Sequence, residues 1–99
     1  MKFISLRRSD HAGKKYMVTL EGESGREKTI HFGDASMKDY TLFSARERED
    51  RKKAYLSRHA GREDWSDPST AGFWSRWVLW GPHPSVRENV KFVVHKFRL

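Results

Sequence analysis

The stretch that decides the fold is Ala71-Gly72-Phe73-Trp74-Ser75-Arg76-Trp77-Val78-Leu79-Trp80-Gly81-Pro82. It holds three of the four tryptophans in the chain, together with a phenylalanine and a Val-Leu pair. Helical spacing places Phe73, Trp77 and Trp80 in one stripe, and Gly81-Pro82 is a strong signal for the end of a helix. The rest of the chain is too polar to form a core alone. We therefore expect an aromatic helix over residues 68–80 to supply the centre of the core.

The start of this helix has two candidate caps. Asp67 can cap it with Pro68 in the first helical position, or Thr70 can cap it one turn later. The four bulky rings and the Val-Leu pair have two interpretations, a buried core or an exposed platform on which bases stack. The continuous stripe favours the core.

Composition limits the class of protein. The chain has 99 residues, which is enough for one domain, predicted here as 1–99. It contains no cysteine, no apolar run long enough to cross a bilayer and no signal peptide, so we expect a soluble intracellular protein. The net charge of +7 favours polyanionic partners. This basic excess is spread along the chain, so folding would have to assemble a basic patch.

The first third of the chain reads as strands. Lys2–Arg8 alternates in polarity, and residues 15–20 and 28–32 repeat the pattern around a loop with two glycines at residues 21–25. The sequence predicts an antiparallel β-meander over residues 1–33, ending at Gly33-Asp34.

Two more helices are predicted. Ser44 and Glu47 fit a capping box at the start of a charged helix over residues 44–60, with Gly61 after its end. Ser85 and Glu88 fit a second box, followed by an apolar stripe, for a helix over residues 85–98. An alternating strand over residues 90–95 is the competing interpretation, which the cap disfavours. The predicted fold class is α+β, a small antiparallel β-meander packed with about three α-helices.

Several motifs also resemble those of one protein family: His31-Phe32-Gly33-Asp34, Tyr40-Thr41, residues 55–59, Trp65 and, most specifically, residues 71–80. The family consists of small basic proteins encoded by large DNA viruses of algae and amoebae and by some tailed phages. The resemblance covers residues 16–97. It implies a viral gene product made in host cytoplasm or nucleus, with the virion as a further location, and it brings no catalytic residues.

The leading functional hypothesis is nucleic-acid binding. The charged helix presents cations at spacings of three, four and seven, a pattern that can follow a phosphate backbone. The competing interpretation is a solvated helix held by its own ion pairs. The candidate nucleic-acid-binding residues are Arg48, Arg51, Lys52, Tyr55, Arg58, Arg62, Lys14, Lys15, Lys28 and Trp65. For Trp65, a lid on the core is the alternative to a surface aromatic.

Other chemistries have little support. The five histidines form no closely spaced pair, so no metal site and no cofactor is predicted. No phosphate-binding loop, nucleophile elbow or paired-acid motif is present, so we predict no catalytic residue, no enzyme and no small-molecule substrate. The partners expected are nucleic acid, DNA or RNA, or capsid proteins in the alternative of a minor virion protein. A small inhibitor of a host enzyme is a third, weaker hypothesis.

Overall fold

A three-stranded antiparallel sheet forms the first third of the chain, in a computed structural model that describes all of residues 1–99. The strands are β1 (Lys2–Arg8), β2 (Lys14–Glu21) and β3 (Glu27–Asp34), in the order β1-β2-β3. The predicted meander is confirmed. The third strand runs past Phe32 through Gly33 to Asp34, where the sequence suggested a break, because Asp34 still pairs with Lys14 of β2.

Helices follow a connector that spans residues 35–47. They are α1 (Arg48–His59), α2 (Ala71–Trp74) and α3 (Val86–Lys96), and α2 continues as a π-helical segment over Ser75–Leu79. We call α2 and this segment together the aromatic helix. Antiparallel strands packed with three helical elements make an α+β fold, as predicted.

The helix starts test the predicted caps. Ser85 accepts a hydrogen bond from the backbone N–H of Glu88 at 3.2 Å, which begins α3 where the cap predicted. Thr70 accepts from the N–H of Phe73, so the aromatic helix begins at Ala71 and not at residue 68. The box at Ser44 is not formed, because its hydroxyl donates to the Glu47 carboxylate. The charged helix accordingly begins at Arg48 and not at residue 44.

One hydrophobic core joins all of these elements. The inner face of the sheet contributes buried Val18, Leu20, Ile30 and Phe32, and β1 packs Phe3 and Leu6 against them. The helices contribute Phe73, Trp74, Val78, Leu79, Trp80, Tyr55 and Val93. Trp74 and Trp80 are buried, so the core interpretation is confirmed for these rings.

The C-terminal end of the π-helical segment is held by specific hydrogen bonds. The backbone N–H of Trp80 donates to the carbonyl of Ser75, five residues back, at 3.1 Å. Asn89 of α3 is fully buried beside this end, and its amide donates to the carbonyls of Val78 and His83 and accepts from the N–H of His83. A Cβ at Gly81 would lie 2.2 Å from the carbonyl oxygen of Trp77, so only glycine fits this turn.

The helices are all short in this fold. None of them has the length and apolar character needed to cross a membrane.

Candidate functional site

A cleft of about 440 Å³ lies where the end of β3, the connector, α1 and the aromatic helix meet. We call it the central cleft. Its apolar floor is made by Phe32, Tyr55, Leu79 and Trp80, and its polar walls include Lys14, Lys15, Asp34, Lys38, Asp39, Arg58, His59 and Glu63. Four of the predicted binding residues, Lys14, Lys15, Tyr55 and Arg58, come together here from two distant parts of the chain.

Gly33 allows the floor to form. Its φ of +85° lies in the left-handed region, and a Cβ there would come within 2.8 Å of the Leu79 side chain. Any larger residue would be strained at this φ and would have to displace the Leu79 side chain. The glycine of the His31-Phe32-Gly33-Asp34 motif therefore reflects close packing at the cleft.

A stack of three rings lines one side of the cleft. Tyr55 lies 4.6 Å from Trp80 and 4.4 Å from His59 between ring centroids. Burial raises the pKa of Tyr55 to about 12, with a further contribution from the Glu63 carboxylate. The prediction that Tyr55 lies on an exposed binding face is wrong, because Tyr55 is only 7% exposed and serves as the anchor of α1 in the core.

Two of the three carboxylates of the cleft accept hydrogen bonds from this chain's own groups. Asp39 is buried, accepts from the Lys15 ammonium at 2.6 Å, and also accepts from the N–H of Thr41. Asp34 accepts from the hydroxyl and N–H of Ser36, and these bonds hold its pKa below the usual range. Glu63 lies 3.7 Å from the His59 ring. Lys15 is consequently a partner of Asp39 and not the free cation that was predicted.

Three cations at the cleft remain unpaired. Lys14, Lys38 and Arg58 line the cleft and are exposed, and none has a carboxylate within 4.0 Å. Across the whole chain only Lys15, Arg51 and Lys91, of 20 lysines and arginines, have such a partner. Unpaired exposed cations beside a concave surface are available to an anionic ligand.

Three other predicted residues of α1 face away from the cleft, toward the connector. Arg48 lies over the Tyr40 ring, Arg51 lies over Phe43 and 3.9 Å from Glu47, and Lys52 lies over Tyr40. The Lys52 ammonium also donates to the carbonyl of Gly81 at 2.9 Å, and burial lowers its pKa. The prediction of Lys52 as a free phosphate contact is wrong, because it caps the end of the aromatic helix.

The remaining predicted residues lie outside both groups. Lys28 donates to the carbonyl of Ser69, and Arg62 is exposed in the turn after α1. Trp65 is half-buried against the core, with its carbonyl accepting from the Trp77 indole and with Arg76 lying over its ring. Trp65 therefore packs against the core as the lid interpretation predicts, and its role as a base-stacking residue stays a prediction.

Sequence reasoning did not include Lys38, Asp39 or Glu63 in the site, and it treated His59 only as a helix end. Lys38 and Asp39 belong to the connector, which has no periodicity to assign them a face. The burial of Asp39 among charged neighbours depends on the path of the connector over the sheet. No local signal in the sequence could have found that path.

Residues able to ligate a metal ion come together at one place outside the cleft. Asp10, His11 and His31 each offer a ligand atom, and these atoms lie within 4.8 Å of one another. His11 and His31 are 20 residues apart, so the search for closely spaced histidine pairs could not detect this cluster.

Comparisons with known proteins give a family and no function. No curated protein and no solved structure matches the chain. Residues 4–59, from β1 to the end of α1, match a family of unknown function, DUF5754. This match covers more than half of the chain and three of the cleft's four sides, leaving out the aromatic helix and α3. The chain therefore belongs to the DUF5754 family.

Proposed function

We propose that this protein is a non-enzymatic basic module that binds nucleic acid through backbone phosphates at the central cleft. The observation that carries the proposal is the set of three unpaired cations, Lys14, Lys38 and Arg58, around one concave surface. Lysine and arginine side chains with no internal carboxylate partner can neutralise phosphates without first breaking an ion pair. The net charge of +7 adds long-range attraction.

Recognition in this proposal is independent of base sequence. The tyrosine and the tryptophan of the cleft present no free face comparable to a stacking platform, since Tyr55 and Trp80 are buried. Contacts to phosphate position a strand and carry no sequence information. We therefore expect weak binding with little preference among sequences.

The test is a fluorescence anisotropy titration of the full chain into labelled DNA and RNA oligonucleotides. We expect micromolar or weaker affinity that falls steeply between about 50 and 200 mM salt, by roughly one unit of log–log slope for each phosphate contact. The variant Lys14→Glu/Lys38→Glu/Arg58→Glu should abolish binding.

A matched control variant separates the effect of the cleft residues from the effect of net charge alone. Lys2→Glu/Lys53→Glu/Arg87→Glu changes the charge by the same amount at exposed residues that do not line the cleft. It should retain most of the affinity. If both triple variants lose binding equally, the cleft is not the interface. If the unmodified chain shows no salt-dependent binding, nucleic acid is not the ligand.

A second candidate is a minor virion protein that makes protein–protein contacts. It is favoured by Met37 and Leu42 of the connector, which are 59% and 58% exposed, because exposed apolar side chains are common interface anchors. The resemblance to virus-encoded proteins gives both candidates the same setting, the host cytoplasm or nucleus or the particle itself. Mass spectrometry of purified virions tests this candidate, which requires a fixed copy number per particle.

A further inference from the structure

A cluster on the sheet, outside the central cleft, has the side chains of a metal site. Asp10 and His11 lie in the turn between β1 and β2, and His31 lies on β3. The fold brings this turn over the sheet, so that the two imidazole rings stack with centroids 3.4 Å apart and planes 12° from parallel. The three potential ligand atoms all lie within 4.8 Å of one another.

Ser9 fixes one of these rings. Its Oγ lies 2.8 Å from Nδ1 of His31 and accepts from the backbone N–H of His11 at 3.0 Å. When His31 donates from Nδ1 to Ser9, its Nε2 is left with a free lone pair. Metal-binding histidines are held in this way, with the second ring nitrogen engaged by a protein group that sets the tautomer and the ring orientation.

We propose that Asp10, His11 and His31 bind a zinc ion, with one carboxylate oxygen and two imidazole nitrogens as ligands. Two histidines and one carboxylate are a common zinc donor set, and water completes the fourth position. This site does not depend on the proposed binding of nucleic acid, since none of the three residues lines the central cleft.

The geometry requires one small rearrangement. In a tetrahedral zinc site, with bonds of about 2.0–2.1 Å, ligand atoms lie roughly 3.3 Å apart. Each imidazole plane must also pass through the ion, which two nearly parallel rings cannot both do. His11 is exposed in its turn and can rotate, whereas His31 is half-buried and held by Ser9. Binding therefore unstacks the two rings and ties the β1–β2 turn to β3.

The test is an isothermal titration of Zn²⁺ into the full chain, prepared without a histidine tag. We expect one ion per chain, with affinity reduced at least tenfold by His11→Ala or His31→Ala. Ser9→Ala should weaken binding by about tenfold, because loss of a group that orients a ligand typically costs 10–100-fold in affinity. The matched controls His83→Ala and His95→Ala remove exposed histidines elsewhere and should leave the affinity unchanged.

A second measurement uses the unmodified chain, so that the proposal can still be tested if a variant fails to fold. Paramagnetic Co²⁺ should broaden the backbone amide signals of residues 9–13 and 30–32, and leave α3 unaffected. The proposal is overturned if no saturable zinc binding occurs, if the control variants lose as much affinity as His31→Ala, or if the broadening centres on another part of the chain.

Discussion

The aromatic helix and α1 show opposite ways of attaching a helix to the same core. The aromatic helix buries Phe73, Trp74, Val78 and Leu79, and its end is closed by the hydrogen bonds of Asn89. In α1, with 12 residues, only Tyr55 is buried. The aromatic helix therefore contributes most to the stability of the fold, whereas α1 leaves most of its charged side chains available to solvent and ligands.

The largest expected effect comes from the aromatic helix. Trp74 is fully buried, packs near Phe3 and Phe32, and donates its indole N–H to the carbonyl of Pro68 at 2.8 Å. Trp74→Ala should lower the free energy of unfolding by about 3–5 kcal/mol, enough to make a domain of ordinary stability marginal. Urea denaturation measures it.

A matched truncation in α1 sharpens the contrast. Leu56 is half-buried at the edge of the core, so Leu56→Ala should cost about 1 kcal/mol. Equal losses from the two substitutions would contradict the division of roles between the helices.

The next largest loss of stability is expected from the hydrogen bonds at the C-terminal end of the aromatic helix. Asn89→Ala removes three hydrogen bonds and leaves the buried carbonyl of Val78 and the part-buried carbonyl of His83 without this partner. We expect a loss of roughly 2–3 kcal/mol. Hydrogen exchange should show faster opening at residues 75–80, whereas uniform loss of protection across the sheet would argue against a local role.

The anchor of α1 should respond to alkaline pH. Tyr55 has a pKa of about 12 in the folded chain, above its ordinary value of 10.0, because burial disfavours the phenolate. Its contribution to stability is complete below pH 10 and is lost as the pH rises from about 10 to 12, since the unfolded chain releases the proton first. The full loss is on the order of 2 kcal/mol.

Comparing the pH-dependent loss of stability in the unmodified chain and in Tyr55→Phe separates the contribution of Tyr55 from that of other groups that titrate at high pH. Denaturation at pH 8 and at pH 11 should give a smaller pH-dependent loss for the variant, which has no phenol at this position. Identical losses would mean that Tyr55 is not buried in solution.

The smallest effect is expected on the exposed side of α1. Arg51 and Glu47 are 3.9 Å apart, and both side chains are more than half exposed. Pairs of this kind contribute little, so Arg51→Ala should change the free energy of unfolding by less than about 0.5 kcal/mol. A loss above 1 kcal/mol would show that the stacking of Arg51 on Phe43 holds the helix in place.

Much of the fold could be predicted from the sequence because it rests on local patterns. Alternation gave the strands, and the cap at Ser85 with its apolar stripe correctly favoured helix over strand for the last element. The predicted helix start at Ser44 is wrong. A serine caps a helix only when its hydroxyl accepts from a backbone N–H of the first turn, and here the hydroxyl donates to Glu47. The π-helical segment could not be foreseen, because helical stripes are read with ordinary α-helical spacing.

The candidate site was less predictable. Lys14 and Arg58 were identified as exposed cations, but the same reasoning could not tell that Lys15 would pair with a buried Asp39 or that Lys52 would bond to Gly81. These outcomes depend on contacts between residues 24 and 29 positions apart. Charge alone cannot distinguish a structural lysine from an available one.

The extent of the family match has a consequence for relatives of this chain. The inner sheet face of Val18, Leu20, Ile30 and Phe32 belongs to the matched residues 4–59, yet most of what covers it lies beyond them. An uncovered apolar face of this kind would promote aggregation in water. A homologue that shares only the matched segment must therefore shield its sheet with other apolar residues of its own or with a binding partner, and excision of residues 4–59 from this chain should yield an aggregating fragment.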